Sequence, residues 1–361
     1  MKSPRSGSEF RFRVSNFSTL QLGGLIAVLS LCLGRSEARA FAIVLRPGAA
    51  LAGRPDALAA FARAAALWET RLADPIQVVI DADLALLSSG VIGQASSTLL
   101  FGDDFAEIRD KMILDALGEG GDAAVEALPN FSQISFALPT GRTLWDSLVA
   151  TQANLKALGF TGLEAVSGQE KDATITFNSA FSFDFDNRDG VSASTVDFET
   201  AAAHEIGHAL GFISSVDGLN EFVAGDETRV RITPLDLFRF GPGAGANPSN
   251  AAQFTNFARE LRPGRAAHFD DFQTEWSLST GTNRANGGDG NQASHWKADD
   301  LTGRFIGLMD PTLASGVFYG PTAADFRALD AIGYKVVPEP GILSLLATGS
   351  LLGLLRGRRR R

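Results

Sequence analysis

The spacing of apolar positions predicts regular elements up to about residue 210 and an irregular stretch after it. From Arg54 the chain reads Pro55-Asp56-Ala57-Leu58, then places Phe61, Ala65, Leu67 and Trp68 before Pro75. Pro and Asp at the front, with apolar spacings of three and four, predict an amphipathic helix ending near Pro75. Residues 76–80 are rich in β-branched side chains and predict a strand; 91–101 predicts a second strand region. Residues 105–117 and 144–158 read as helices, and the alternation over 173–177 reads as a strand. An acidic turn region covers 182–190. Phe198–Leu210 predicts a helix with Asp197 to cap its start and Gly211 to end it. Gly, Asn and Pro then crowd the chain to about Gln292, and a last helix over 322–332 closes on Gly333. No internal repeat is present.

The two ends follow other patterns. Lys2, Arg5, Arg11 and Arg13 precede an apolar run over 20–33 and small residues ending Ala38-Arg39-Ala40. That order predicts a cleaved secretory signal over 1–40, since the apolar run is shorter than the roughly 20 residues of a membrane span. At the other end, Val337-Pro338-Glu339-Pro340 leads into an uncharged run over 341–355 and then Arg356, Arg358, Arg359, Arg360 and Arg361. The run suits transient anchoring, with the arginines on the cytoplasmic side and the body outside. This tail, 336–361, resembles the PEP-CTERM sorting signal of Gram-negative, biofilm-forming bacteria. The resemblance implies export to the periplasm, cell surface or extracellular matrix, and cleavage by an exosortase near Pro-Glu-Pro.

Charge changes the picture once the ends are set aside. The whole chain has 32 basic and 41 acidic residues; removing the 11 and 3 in the end segments leaves 21 and 38 in 41–335, a net of −17. Such a body repels nucleic acid and anionic lipid. The single cysteine, Cys32, lies inside the signal, so the mature body has no disulfide and no cysteine metal site.

The chemistry concentrates at His204-Glu205-Ile206-Gly207-His208. Residues four apart share a helix face, so both imidazoles can bind one metal, while Glu205 can reach a water beside it. That is the arrangement of a zinc hydrolase. A catalytic zinc needs a third protein ligand and an open position. Gly211 follows His208 by three, but position 214, where a third His would continue the pattern, is Ser214. Only His268 and His295 remain as candidates.

The runs HEIGHALGF (204–212), SHWK (294–297), LMDP (308–311) and LDAIGY (329–334) occur in the order seen in leishmanolysin-type metalloproteases, a metzincin family that this stretch resembles. The resemblance implies His204, His208 and His295 as Zn2+ ligands, Glu205 as the general base, Met309 as the methionine beneath the metal, and an insertion in the 86 residues between His208 and His295. It covers about 195–335. His268, with no Leu-Met-x-Pro turn close behind it, stays as the rival ligand. The chain departs from the family in lacking body cysteines, which excludes a cysteine-switch pro-segment.

The expected fold is α+β: a twisted sheet with two long helices, the second bearing the metal ligands, to about residue 213, then a loop-rich subdomain over 214–335. The expected activity is that of an exported zinc endopeptidase acting on protein or peptide substrates. The alternative is an exported matrix or adhesion protein whose zinc is structural. Three weaker features stay open. Asp184, Asp186 and Asp189 suit either calcium or, better, a solvated turn. Residues 173–177 suit either the cleft edge or an interior strand. Tyr319 suits either an oxyanion contact or a structural role.

Overall fold

The computed structural model describes residues 40–220 and 228–337. The expected leader and the sorting tail from residue 338 onward lie outside the described residues. Among these residues no helix is long and apolar enough to cross a membrane.

A mixed α+β architecture is built on a four-stranded sheet. Its order is Ala42–Pro47, Gln77–Ala85, Ala173–Asn178 and Gly93–Ser97. The first three run parallel and the last antiparallel, with Gly93 opposite Phe177 and Ser97 opposite Ala173. Alternation sets which face is buried: Val78, Ile80, Ala82, Ala173, Ile175 and Phe177 are all at most 2% exposed. Against them lie two helices, Pro55–Glu69 and Phe198–Leu210. Phe61, Phe177 and Phe198 form a continuous aromatic contact between sheet and helices.

The first helix starts as expected, with Pro55 at its first position. Its buried stripe is Ala57, Ala60, Phe61, Ala64, Ala65 and Trp68. It ends at Glu69 rather than near Pro75. Trp68 is fully buried and its indole N–H donates to the Ala203 carbonyl (3.0 Å), tying the two helices together.

The 91–101 region divides into two strands, Gly93–Ser97 and Leu99–Phe101. Thr98 marks the break: its amide donates to Asp172 O, and its carbonyl accepts from Gln152 N. The second strand joins a different sheet, ordered Arg229–Ile232, Thr143–Thr151, Leu99–Phe101.

That sheet corrects one expectation. Residues 144–158 are not one helix but the strand Thr143–Thr151 followed by the short helix Gln152–Ala157. The Leu144/Leu148 spacing suits a helix, yet pairing on both sides makes the segment a central strand. Trp145, Val149 and the flanking threonines favour that outcome, which only the tertiary partners decide.

The stretch after Gly211 is also more ordered than expected. Short strands Arg239–Phe240, Arg259–Glu260, Ala267–Asp270 and Glu275–Leu278, with Phe136–Ala137, make a five-stranded sheet. Strands of two to four residues are too short to show a period of two. The closing helix spans Ala323–Ala331, with Thr322 and Asp325 forming a capping box.

Candidate metal centre

The helix Phe198–Leu210 is positioned by its own caps and by its burial. Asp197 accepts from the Thr200 amide (2.7 Å) and hydroxyl (2.6 Å). Every helix residue except His208 is buried. Gly211 ends it at φ +119°, where a Cβ would also press on Ile332 and Asn154. His204 and His208 thus emerge one turn apart on the face toward a cleft of about 850 Å³.

His295 arrives from the loop-rich half and completes a trio. Its Nε2 lies 3.1 Å from the Nε2 atoms of both His204 and His208. Among the described residues this is the one group of three or more potential ligands close enough to share a metal ion. The ring nitrogens facing away are all fixed on carbonyl oxygens. His204 Nδ1 donates to Leu308 O (2.8 Å), His208 Nδ1 to Phe212 O (2.8 Å) and His295 Nδ1 to Gln292 O (3.1 Å). A carbonyl only accepts, so each Nδ1 carries the proton and each Nε2 presents a lone pair.

Three lone pairs converging at 3.1 Å have no proton to share, so these contacts are not hydrogen bonds. Protonation is no remedy, because burial pushes the imidazole pKa of His204 down to about 3 and of His208 to about 4, and lowers that of His295 well below its ordinary value. A cation held by the three would satisfy all of them. The donor set therefore fits a metal ion bound by neutral imidazoles, with carbonyls orienting each ring from behind.

Glu205 points into the same cleft and is 7% exposed. Burial raises its carboxyl pKa to about 8, against a smaller opposing effect of the Ala95 amide. A cation in the trio acts in the lowering direction. The approach to the edge strand is close: a Cβ at Gly93 would stand 2.8 Å from Glu205 Oε1.

The methionine turn packs where the motif order places it. A Cβ on Gly207 would sit 2.3 Å from Met309 Sδ, so the thioether lies directly on the helix backbone between the two ligands. Asp325, fully buried, accepts from Leu308 N (2.7 Å), Met309 N (3.2 Å) and Trp296 Nε1 (2.8 Å). It thereby holds the turn whose Leu308 carbonyl orients His204. Asp217 does the same for His295: its carboxylate accepts from Ala293 N (2.5 Å), from Ser294 N (3.0 Å) and from Ser294 Oγ. Ser214, at the position where a third histidine would continue the motif, is a tether instead. Its amide donates to Ser294 Oγ (2.8 Å) and its hydroxyl to Asp236 (2.6 Å).

Other candidates fall elsewhere. His268 lies in the strand Ala267–Asp270 with Nδ1 against the Glu275 carboxylate, outside the trio. Asp186 is held by Arg188 through two 2.6 Å contacts, and Asp184 accepts from the amides of Asp186 and Ser192. That region is a self-satisfied turn. Residues 173–177 form an interior strand, and the edge along the cleft is Gly93–Ser97. Tyr319 stacks on Phe305 at 4.6 Å and is not among the described residues lining the cleft.

The roles of Asp217 and of the edge strand were not legible in the sequence. Asp217 acts over 76 and 77 residues of chain, and 93–97 carries no apolar alternation. Asp325 left one signal, the Thr-x-x-Asp capping pattern at 322–325. No family model matches the chain, and no curated protein or solved structure matches it either.

Proposed function

We propose that this chain is an exported zinc endopeptidase of metzincin type, similar to leishmanolysin in the order of its motifs. The observation that carries the reading is the convergence of three neutral imidazole Nε2 atoms beside a buried glutamate, in a cleft bordered by a free sheet edge. His204, His208 and His295 would hold the metal. A zinc ion bound there supplies Lewis acidity toward a water molecule and a carbonyl oxygen.

The remaining chemistry belongs to the chain. Glu205 accepts a proton from the attacking water on a carboxylate oxygen and passes it to the leaving amine nitrogen. Its low exposure keeps bulk water from competing for that proton. The edge strand Gly93–Ser97 offers backbone donors and acceptors to an extended peptide, which adds as a further strand. Three ligands with an open cleft suit catalysis; a structural site closes with a fourth protein ligand, and none joins the trio among the described residues. The exported destination and exosortase processing rest on the two chain ends and are part of the same proposal.

The test pairs metal analysis with casein digestion. Wild type should hold about one zinc per chain and digest casein. Glu205→Gln should keep the zinc and lose nearly all digestion. His295→Ala should lose zinc while His268→Ala keeps it. Zinc retained equally in the last two variants, or activity unchanged in Glu205→Gln, sinks the reading.

A further inference from the structure

The three-stranded sheet has one face on the core, and part of its other face reaches solvent. Leu148 and Ala150 are buried on the core side. The opposite face carries Leu99 and Phe101, 52% and 61% exposed, together with Trp145, Arg229 and Arg231. The aromatic and cationic side chains interleave. The Arg229 guanidinium lies 3.8 Å from the Trp145 ring centre, and Arg231 lies 4.7 Å from Trp145 and 4.2 Å from Phe101. Stacking of this kind holds a guanidinium flat while leaving its edge N–H groups to bind something else.

Among the described residues most of those N–H groups have no protein acceptor. Arg231 donates through Nε to Ser147 Oγ (3.0 Å), and Arg229 makes a single long contact to Leu144 O (3.3 Å). Among the described residues neither has a carboxylate partner. Arg46, Arg54, Arg63, Arg188, Arg262 and Arg327 all do. In a body of net charge −17, two stacked arginines with no carboxylate partner among the described residues put local positive charge beside the cleft. Asp146, exposed in the adjoining strand, pairs with neither.

This face continues the cleft. Leu99, Ile213 and Ser214 line both the metal cleft and a neighbouring depression of about 460 Å³ that Arg229 and Arg231 border. Leu99–Phe101 follows the edge strand Gly93–Ser97 after one residue. A peptide extended along that edge from Glu205 therefore passes onto the stacked arginines about four to eight residues from the cleaved bond.

We infer that the solvent face bearing Phe101, Trp145, Arg229 and Arg231 binds an acidic stretch of the polypeptide substrate, on one side of the cleaved bond. The inference rests on the endopeptidase reading. The exposed Leu99 and Phe101 take apolar side chains of the same segment, and the guanidinium edges take its carboxylates. The net negative body excludes a nucleic acid or an anionic membrane as the occupant, because either would meet repulsion beyond this small patch.

The test separates binding from turnover. Fluorescein-labelled peptides of equal length, one with a Glu-rich distal segment and one with Gln at the same positions, are titrated against the zinc-loaded full chain carrying Glu205→Gln. The acidic peptide should bind roughly five- to tenfold tighter, the scale of two partly exposed charge pairs. Raising salt from about 0.05 to about 0.5 M should erase the difference. Adding Arg229→Gln and Arg231→Gln should abolish it, while Arg229→Lys with Arg231→Lys should retain part of it. Equal affinity for the two peptides, or selectivity that survives the Gln pair, overturns the inference. Wild type is given the same peptides in parallel. Cleavage without acid preference removes this surface and leaves the peptidase. Acid-selective binding with no hydrolysis of any peptide or of casein removes the peptidase and leaves an acidic-segment binding face.

Discussion

The two halves of this molecule hold the histidines of the candidate metal centre by different means. His204 and His208 stand on a helix whose backbone satisfies itself and whose position follows from apolar burial against Pro55–Glu69 and the main sheet. His295 stands on a loop, and a loop near a protein interior must find partners for its amides elsewhere. Here buried and half-buried carboxylates supply them. Asp217 binds the amides of Ala293 and Ser294, Asp236 those of Ser215 and Thr233, and Asp325 those of Leu308, Met309 and Thr322. The helical half gets its geometry from periodicity. The loop half gets it from single acceptors, each of which organises several donors.

The largest expected consequence is at Asp325. Replacing it by Ala strands the buried amides of Leu308 and Met309 and the buried Trp296 indole N–H, together with the part-buried Thr322 amide, among the methionine turn and the closing helix. Each stranded donor costs about 1–3 kcal/mol, partly recovered by relaxation, so a loss on the order of 4 kcal/mol is expected. In a domain of this size that lowers Tm by about 10 °C. A calorimetric shift below about 2 °C would show that the turn is held by packing alone, and the contrast between the halves would weaken.

Asp217 sharpens the contrast. It touches the loop next to His295 and nothing in the helix, so Asp217→Ala should disturb one ligand of three. Zinc affinity should fall about 10–100-fold, as when support behind a ligand is lost, with a smaller effect on Tm than Asp325→Ala. Competition with a chromophoric chelator measures it. Unchanged affinity would mean that the Gln292 carbonyl and the Ser214 tether suffice to hold His295.

This difference also explains what could be read in the sequence. The helices Pro55–Glu69 and Phe198–Leu210, the caps Asp197 and Gly211, and the strand at 173–177 were legible because their signals are local and periodic. The pairing of His204 with His208 was legible for the same reason. That His295 rather than His268 joins them was legible only through its motif neighbours, and the carboxylates that place it carried no signal beyond the capping pattern at 322–325. Residues 144–158 misled because Leu144 and Leu148 suit a helix, while the strands that claim the segment lie more than 40 residues before it and more than 70 after it.

The smallest expected effect tests carboxylates of the opposite kind. Asp74, Asp115 and Glu119 gather where the first helix, the helix Phe105–Gly118 and the closing segment meet, with Asp330 and Lys335 nearby. Unlike Asp325, they are dominated by burial and by one another: Asp74 and Asp115 are raised to about 6 and Glu119 to about 7. An acid whose pKa is higher folded than unfolded binds more protons in the folded state between the two values. Stability from this group is therefore greatest below about pH 4 and is lost as pH rises to about 7. Carboxylates lowered by arginine, such as Asp122 beside Arg327, act in the other direction but titrate below pH 4, outside this window. The buried histidines of the trio oppose this group across the same window, because their lowered pKa values cost the folded state stability as pH falls below their unfolded value of about 6.5, so the carboxylates are read from a difference between variants and not from the wild-type slope. Asp74→Asn, which removes the most buried of the three charges without removing its acceptor for the Lys335 amide, should gain about 1 kcal/mol relative to wild type on going from pH 5 to pH 7.5, once solvent screening of the half-exposed neighbours is allowed for. A stability difference between Asp74→Asn and wild type that is the same at pH 5 and pH 7.5 would show that these carboxylates are solvated like ordinary surface acids and that the junction of the three segments is open to water.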